Sequence, residues 1–352
     1  MGNYMQVMQV VRGRTGSSKW MDDDASVIRV GLNRYGLVLG LVVVVSFFSI
    51  LSPQNYFDLN NFRSIINSQI VLLLIAMAQL VPLVGGDLDF SIAANVGLST
   101  VLMGQLVLVN SWPVWTAVIV ALVSGVVVAG VNALLIVGVG VDSLIVTLGT
   151  FTLLSGGVLG INPSPIGGYM GSLAEVLTFR VGGLQLAFLV VLVITIGLWY
   201  WLKHLPSGRR LHFVGANREV ARLSGINASR LRWTAFLMSG LLAGLGGVMM
   251  FGILGGSDPT LGPSMVFPAI TAVILGSTAI TPGVYNVGGT FTAVYLLVFG
   301  ITGLELLGFT GWVPQVFFGG ALILAVVSSK LTSGSVLAGK KLEKGQRERA
   351  AE

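Results

Sequence analysis

The sequence predicts an all-α integral membrane protein of about ten transmembrane helices, with the N- and C-termini both cytoplasmic. Three observations predict it. Of 352 residues, 54% are hydrophobic and only 10% charged, and mean hydropathy is +0.88, which excludes a soluble globular chain. Eighteen of the twenty Lys and Arg residues fall in three stretches, 12–34, 203–232 and 330–349. Between those stretches the apolar runs number six before the middle one and four after it, so all three basic stretches share one side. That side is the cytoplasm by the positive-inside rule.

The first span is 35–51, YGLVLGLVVVVSFFSIL. A polar link with Pro53 and Asn60 leads to a second at about 65–84, and the run GGDLDF (85–90) interrupts the apolar sequence before a third at about 91–109. Ser111 and Pro113 make a turn, with Trp112 and Trp115 suited to a membrane interface. A fourth span follows at about 114–138 and a fifth at about 144–161. The stretch 162–182, with Pro163, Pro165 and paired glycines, is too polar and broken to cross. A sixth span at about 184–202 ends in Trp199, Tyr200, Trp201 and Lys203, a membrane-exit pattern. Four more read at about 233–254, 266–281, 287–307 and 312–329. The eighth is short and bounded by Pro263, Pro268 and Pro282.

The middle basic stretch is the one long polar island among the spans. Lys203, Arg209, Arg210, Arg218, Arg222, Arg230 and Arg232 face a single acid, Glu219. Within it lies a short helix with readable ends. Asn217 can cap its N-terminus, Glu219 complements the dipole in the first turn, and Gly225 stops it. Val220, Leu223 and Ile226 share one face while Arg218 and Arg222 fall on another. Such a helix needs an apolar surface to pack against, and the surrounding chain offers no cytoplasmic domain to supply one.

Enzyme chemistry has no visible constellation. There is no cysteine, no metal-ligand spacing, no cofactor motif and no catalytic cluster. No G-x₄-G-K-[ST] loop is present, so the chain cannot itself hydrolyse ATP by that route, and transport driven by ATP would need a separate subunit. His204 and His212 read as headgroup-level loop residues. The segregated charge argues against a nucleic-acid partner. Asp87 and Asp89, beside Gly85 and Gly86, stand out because a carboxylate at membrane depth costs about 2.5–3.5 kcal/mol; the competing reading is a turn with its acids in water. Asn132 and Thr147 are polar positions within apolar spans, and a hydrogen bond to a neighbouring helix is the simpler use for Asn132.

The island's pattern GR-x₅-G-x-N-x₃-A-R-L-S-G-I (Gly208 to Ile226) resembles the cytoplasmic coupling loop of ribose-type permeases of bacterial ABC importers. GGDLDFS resembles the family's G-G-I-D-L-S run, placing Asp89 on its aspartate and Ser91 on its serine. Asp87 departs from it, so Asp89→Asn is expected to impair transport more than Asp87→Asn. Asn132 to Thr150 resembles N-G-L-L-V…F-I-V-T-L-G-T, and PAITAVILGST and GGTFTAV match further segments. Val266 and Phe267 replace a usual Glu-Leu pair, Pro282 to Tyr285 replace a Gly-Gly-x-Gly loop, and Ser155 stands where arginine is frequent. These departures bear on the solute more than on the fold.

The resemblance implies three segments: a cytoplasmic N-terminal piece (1–34), a transmembrane permease domain (35–330) carrying the coupling loop 203–232, and a cytoplasmic tail (331–352). It implies an inner-membrane permease subunit for a ribose-like sugar or related small polar solute. A branched-chain amino acid or nucleoside permease is the nearer alternative, and a secondary transporter working without ATP the more distant one. Implied partners are a second permease subunit in a homo- or heterodimer, two ATP-binding-cassette subunits and an extracytoplasmic solute-binding protein. Gly215, Asn217, Arg218, Glu219, Ala221, Arg222, Leu223 and Gly225 are the expected coupling residues. Asp89, Asp87, Asn132 and Thr147 are the expected passage residues.

Overall fold

The computed structural model describes residues 18–327 other than 53, 55, 169, 170 and 310, with side chains from Arg34 onward. Residues 1–17 of the expected segment 1–34 and all of 331–352 lie outside the described residues.

The chain is helical nearly throughout. Helix α1 (Ser18–Leu51) contains the first span, Arg34–Leu51. The expected second span is corrected to a bent pair, α2 (Leu59–Ser68) and α3 (Ile70–Val84), meeting at 45° around Gln69. Next come α4 (Ser91–Gly104), α5 (Val114–Ala133) and α6 (Ser143–Ile161). The first two continue as wider π-turns over Gln105–Val109 and Leu134–Val139. The broken stretch forms β1 (Ile166–Gly167), α7 (Ser172–Thr178), β2 (Arg180–Val181) and β3 (Leu184–Gln185) before α8 (Leu186–His204).

The polar island is more helical than its sequence suggests. It holds α9 (Pro206–Ala216) and α10 (Arg218–Leu223), and α11 (Ala228–Leu254) starts inside it. Pro206 at the first turn of α9 is the unread signal, since proline suits that position. After α11 come β4 (Gly256–Ser257), α12 (Leu261–Ser264), α13 (Val266–Gly276), α14 (Val287–Leu306) and α15 (Val313–Val327). Among the described residues seven helices are long and apolar enough to cross a membrane, or eight if the bent pair is one span. Leu261–Gly276 and Val313–Val327 are apolar but shorter. The first of these stops at Gly276, short of the expected 281, and Ile280 in the turn that follows has φ 62, outside helical backbone.

Helix α11 is the centre of the bundle, packed on α3, α4 and α5. Small residues make this approach possible. On α5, Ala117, Ala121, Gly125, Ala129 and Ala133 recur every four residues and are all buried, forming one face. Gly240 and Gly244 of α11 fit against it, and a Cβ on Gly240 would collide with Ala129 and the Gly125 carbonyl. Close backbones are how helices gain contact where lipid removes the hydrophobic drive between them. Interhelical hydrogen bonds add to it: Asn95 Nδ2 donates to Gly125 O (3.0 Å) and Thr100 Oγ1 to Gly247 O (3.2 Å).

The contacts sort the links into two ends. At one, Ile280 N donates to Arg34 O (2.7 Å), and Arg218 reaches Gly86 O (2.8 Å). At the other, β1 pairs antiparallel with β4, and Asn67 bonds to Gly183 O (3.2 Å) and Gln185 N (2.9 Å). The first end carries the basic island.

Candidate functional site at the basic end of the bundle

Helix α10 has the ends its sequence specifies. Asn217 Oδ1 accepts from Glu219 N and Val220 N, both at 3.0 Å. At the other terminus Gly225 turns left-handed with φ +76. Its N–H donates to Arg222 O and that of Ile226 to Ala221 O, both at 3.0 Å, satisfying carbonyls the last turn leaves open. Val220 is 45% and Leu223 77% exposed, while Ala221 is fully buried. Ala221, expected in the contact with a partner, is therefore corrected to an inward packing residue. Arg222 and Glu219 pair on the exposed side (2.7 Å), where such a pair contributes at most about 1 kcal/mol.

Arg218 does not stand free beside Arg222. Its Nη2 donates to Asp87 Oδ1 (2.7 Å) and to Gly86 O (2.8 Å). Arg232, from the first turns of α11, grips the same carboxylate with Nε on Oδ2 (2.6 Å) and Nη2 on Oδ1 (2.8 Å). Asp87 is buried, and two arginines supply the charge-assisted bonds that make burial tolerable. The turn in water is thus overturned for Asp87: it is a clamp joining the α3–α4 link, α10 and α11. Glycine permits the contact. Gly86 takes φ +82 against Gly215, and a Cβ on Gly215 would run into the Val84 carbonyl.

Two residues on, Asp89 opens a second network. Its Oδ1 accepts from Ser91 N (3.0 Å) and Ser91 Oγ (2.6 Å) at the start of α4. Asn132 Nδ2 on α5 donates to Ser91 Oγ (2.8 Å), and Thr150 Oγ1 on α6 donates to Asn132 Oδ1 (2.7 Å). Thr147 Oγ1 reaches Leu88 O (3.3 Å) and its own helix at Ser143 O (2.7 Å). Burial pushes the Asp89 carboxyl up to about 6, opposed by the two bonds from Ser91. Asp87, Asp89, Asn132 and Thr147 are all buried, and the structure brings them together at the basic end. Sequence reasoning missed Ser91 as the node, Thr150 as its extension and Arg232 as the second cation. The i, i+3 spacing of Thr147 and Thr150 on one helix face was the available signal for Thr150.

Ser91→Ala tests the node. It leaves Asp89 and Asn132 with unmet buried bonds, so a loss of about 1–3 kcal/mol in unfolding free energy is expected. Asp89→Asn keeps an acceptor for Ser91 and should unfold close to wild type in detergent. With its folded value above that of a free carboxyl, Asp89 detracts from stability as pH rises through about 6, and the asparagine variant should lose that slope.

Residues 61–326, more than half of the chain, match the family model described as "Branched-chain amino acid transport system / permease component". The chain belongs to this family. It is a permease of the sugar and branched-chain superfamily of ABC importers, a multi-pass protein of the inner membrane. Among curated proteins it is similar to the autoinducer 2 import system permease protein LsrD of Photorhabdus laumondii, 27% identical over 310 residues, covering 85% of this chain and 92% of that one. The LsrD proteins of Escherichia coli strain K12 and Shigella flexneri are each 28% identical over 310 residues, 85% of this chain and 93% of theirs. No solved structure matches the chain. Permeases of this family are membrane components that work with ATP-binding and solute-binding subunits.

Proposed function

We propose that the chain forms the passage of an importer for a small polar, sugar-like solute, driven by ATP hydrolysis on a separate subunit to which α10 couples it. One observation carries this reading. A capped helix with exposed Val220 and Leu223 is tied through Arg218 and Asp87 to the ends of α3, α4 and α11. A push on α10 would therefore reach three helices at once, and from α4 the Ser91, Asn132 and Thr150 bonds would carry it to α5 and α6. Asp87, Asp89, Asn132 and Thr147 are buried and bonded to protein partners, which favours transmission of motion over contact with solute.

For the passage itself, a cavity of about 530 Å³ opens between α3, α13, α14 and α15, with Gln69, Ser264, Thr271, Thr302, Gln315 and the carboxylate of Glu305 among apolar walls. A few polar groups and one carboxylate among apolar walls suit low-affinity passage of a polar solute held first by a binding protein. Ten crossings with both termini cytoplasmic remain our topology. The convergence of Arg34, Asp87, Arg218 and Ile280 at one end supports it, because an even number of crossings must separate them. Two permease subunits, two ATP-binding subunits and one binding protein form the proposed assembly, with 1–34 and 331–352 as cytoplasmic extensions.

The test is ATP hydrolysis by the reconstituted complex with its binding protein, across a panel of sugars, autoinducer 2 and branched-chain amino acids. Stimulation by a sugar or autoinducer 2 is expected. Stimulation by a branched-chain amino acid alone would replace the solute, and uptake without any ATPase subunit would replace the class. Reporter fusions after Leu202 should read cytoplasmic and one near Pro165 external; a cytoplasmic signal at Pro165 would refute the topology.

A further inference from the structure

Two cavities at the basic end share a wall. The first, about 360 Å³, is lined by Lys203, Arg209, His212 and Tyr285 and by the first residues of α14. The second, about 340 Å³, runs along α8 and α14 between Leu192, Ile196 and Phe291. Trp199, Ile280, Val287 and Gly288 line both, so the chamber that carries the cations adjoins the apolar groove.

The first chamber is built for an anion. No carboxylate lines it, and neither Lys203 nor Arg209 forms an ion pair among the described residues. Lys203 Nζ sits 5.3 Å from the Trp199 ring, its stem laid along the membrane exit. His212 reaches Gly208 O (3.1 Å) and Tyr285 O (3.3 Å) through its two ring nitrogens, tying α9 to the 281–286 turn. The N-terminus of α14 adds its positive dipole end. The groove beyond is almost wholly apolar, with the Thr195 and Thr292 hydroxyls donating to Val191 O and Gly288 O of their own helices, and lies on the outer faces of α8 and α14, where Ile196 is 54% exposed. Cations at the membrane surface above an apolar channel match one chemistry, a phosphate with a hydrocarbon chain below it.

We propose that this is a binding site for an anionic glycerophospholipid of the basic-side leaflet, its phosphate held by Lys203 and Arg209 and one acyl chain lying in the groove. The site depends on the membrane location alone and is independent of the solute or the ATPase. It sits between α9 and the 281–286 turn, so an occupied site would brace the island against α14.

Purified protein is taken from nanodiscs of mixed phosphatidylglycerol and phosphatidylcholine, and retained lipid is counted by native mass spectrometry. Phosphatidylglycerol should be retained in preference to phosphatidylcholine. Lys203→Ala with Arg209→Ala should lower that retention by roughly fivefold per cation removed. Ile196→Trp, which fills the groove and leaves the cations, should lower it as well, and millimolar inorganic phosphate should not displace the lipid. All three substituted side chains are exposed, so the fold is spared. Equal retention of the two lipids would overturn the proposal. So would displacement by phosphate with Ile196→Trp silent, the signature of a simple phosphate site.

Discussion

Asp87→Ala is expected to destabilise the folded permease by about 3–5 kcal/mol, because it leaves the Arg232 guanidinium without its counter-charge in a site where that side chain is only 12% exposed. Solute-stimulated ATP hydrolysis should be lost with it, since α10 would no longer be tied to the α3–α4 link. Stability and coupling can be separated. Asp87→Leu combined with Arg232→Met removes both buried charges and should recover much of the stability, as apolar replacement of a buried pair often does. Arg218, 46% exposed, can return to water. Coupling should stay lost in that double variant. Chemical unfolding in detergent and ATPase assays on the same preparations check both halves. Recovery of stimulated hydrolysis would show that the clamp serves the fold only.

Leu223→Glu should do the reverse, sparing the fold and breaking the contact. The side chain is 77% exposed, so a surface substitution there changes stability by no more than about 0.5 kcal/mol. Burying that leucine in a partner groove would contribute about 1.5–3 kcal/mol, and a carboxylate in its place adds a desolvation cost. Affinity for the ATP-binding subunit should fall by tens of fold or more, measured by co-purification and by the concentration of that subunit needed for stimulated hydrolysis. Ala221→Glu is less informative than the sequence suggests. Fully buried Ala221 would report overpacking inside this chain, not the interface.

Span positions were legible because lipid imposes a long apolar run on every crossing helix, and α4, α5, α6, α8 and α14 fall within a few residues of their expected limits. The bend at Gln69 was not legible, since it lacks the proline or glycine that usually marks a break. The second helix of the island was hidden by basic composition, which topology requires whether or not the segment is helical. Asn217 and Gly225 could be read because capping is local chemistry, carried by two or three neighbouring residues. The Asp87 clamp could not: its partners lie 131 and 145 positions away, and nothing in the local sequence points to them. For the same reason Asp87 seemed the lesser of the two acids. Asp89 matches a family motif, but Asp87 holds two arginines.

The central claim is that the exposed face of α10 docks on the ATP-binding subunit. The chain contains no cysteine, so Leu223→Cys introduces a unique thiol, and Phe47→Cys, on the exposed face of α1, supplies a control. Labelled with a maleimide-benzophenone and illuminated in the assembled complex, position 223 should join to the ATP-binding subunit through the benzophenone, with position 47 giving no such product. An absence of cross-link at 223 in a complex that hydrolyses ATP on solute addition would contradict the assignment of α10.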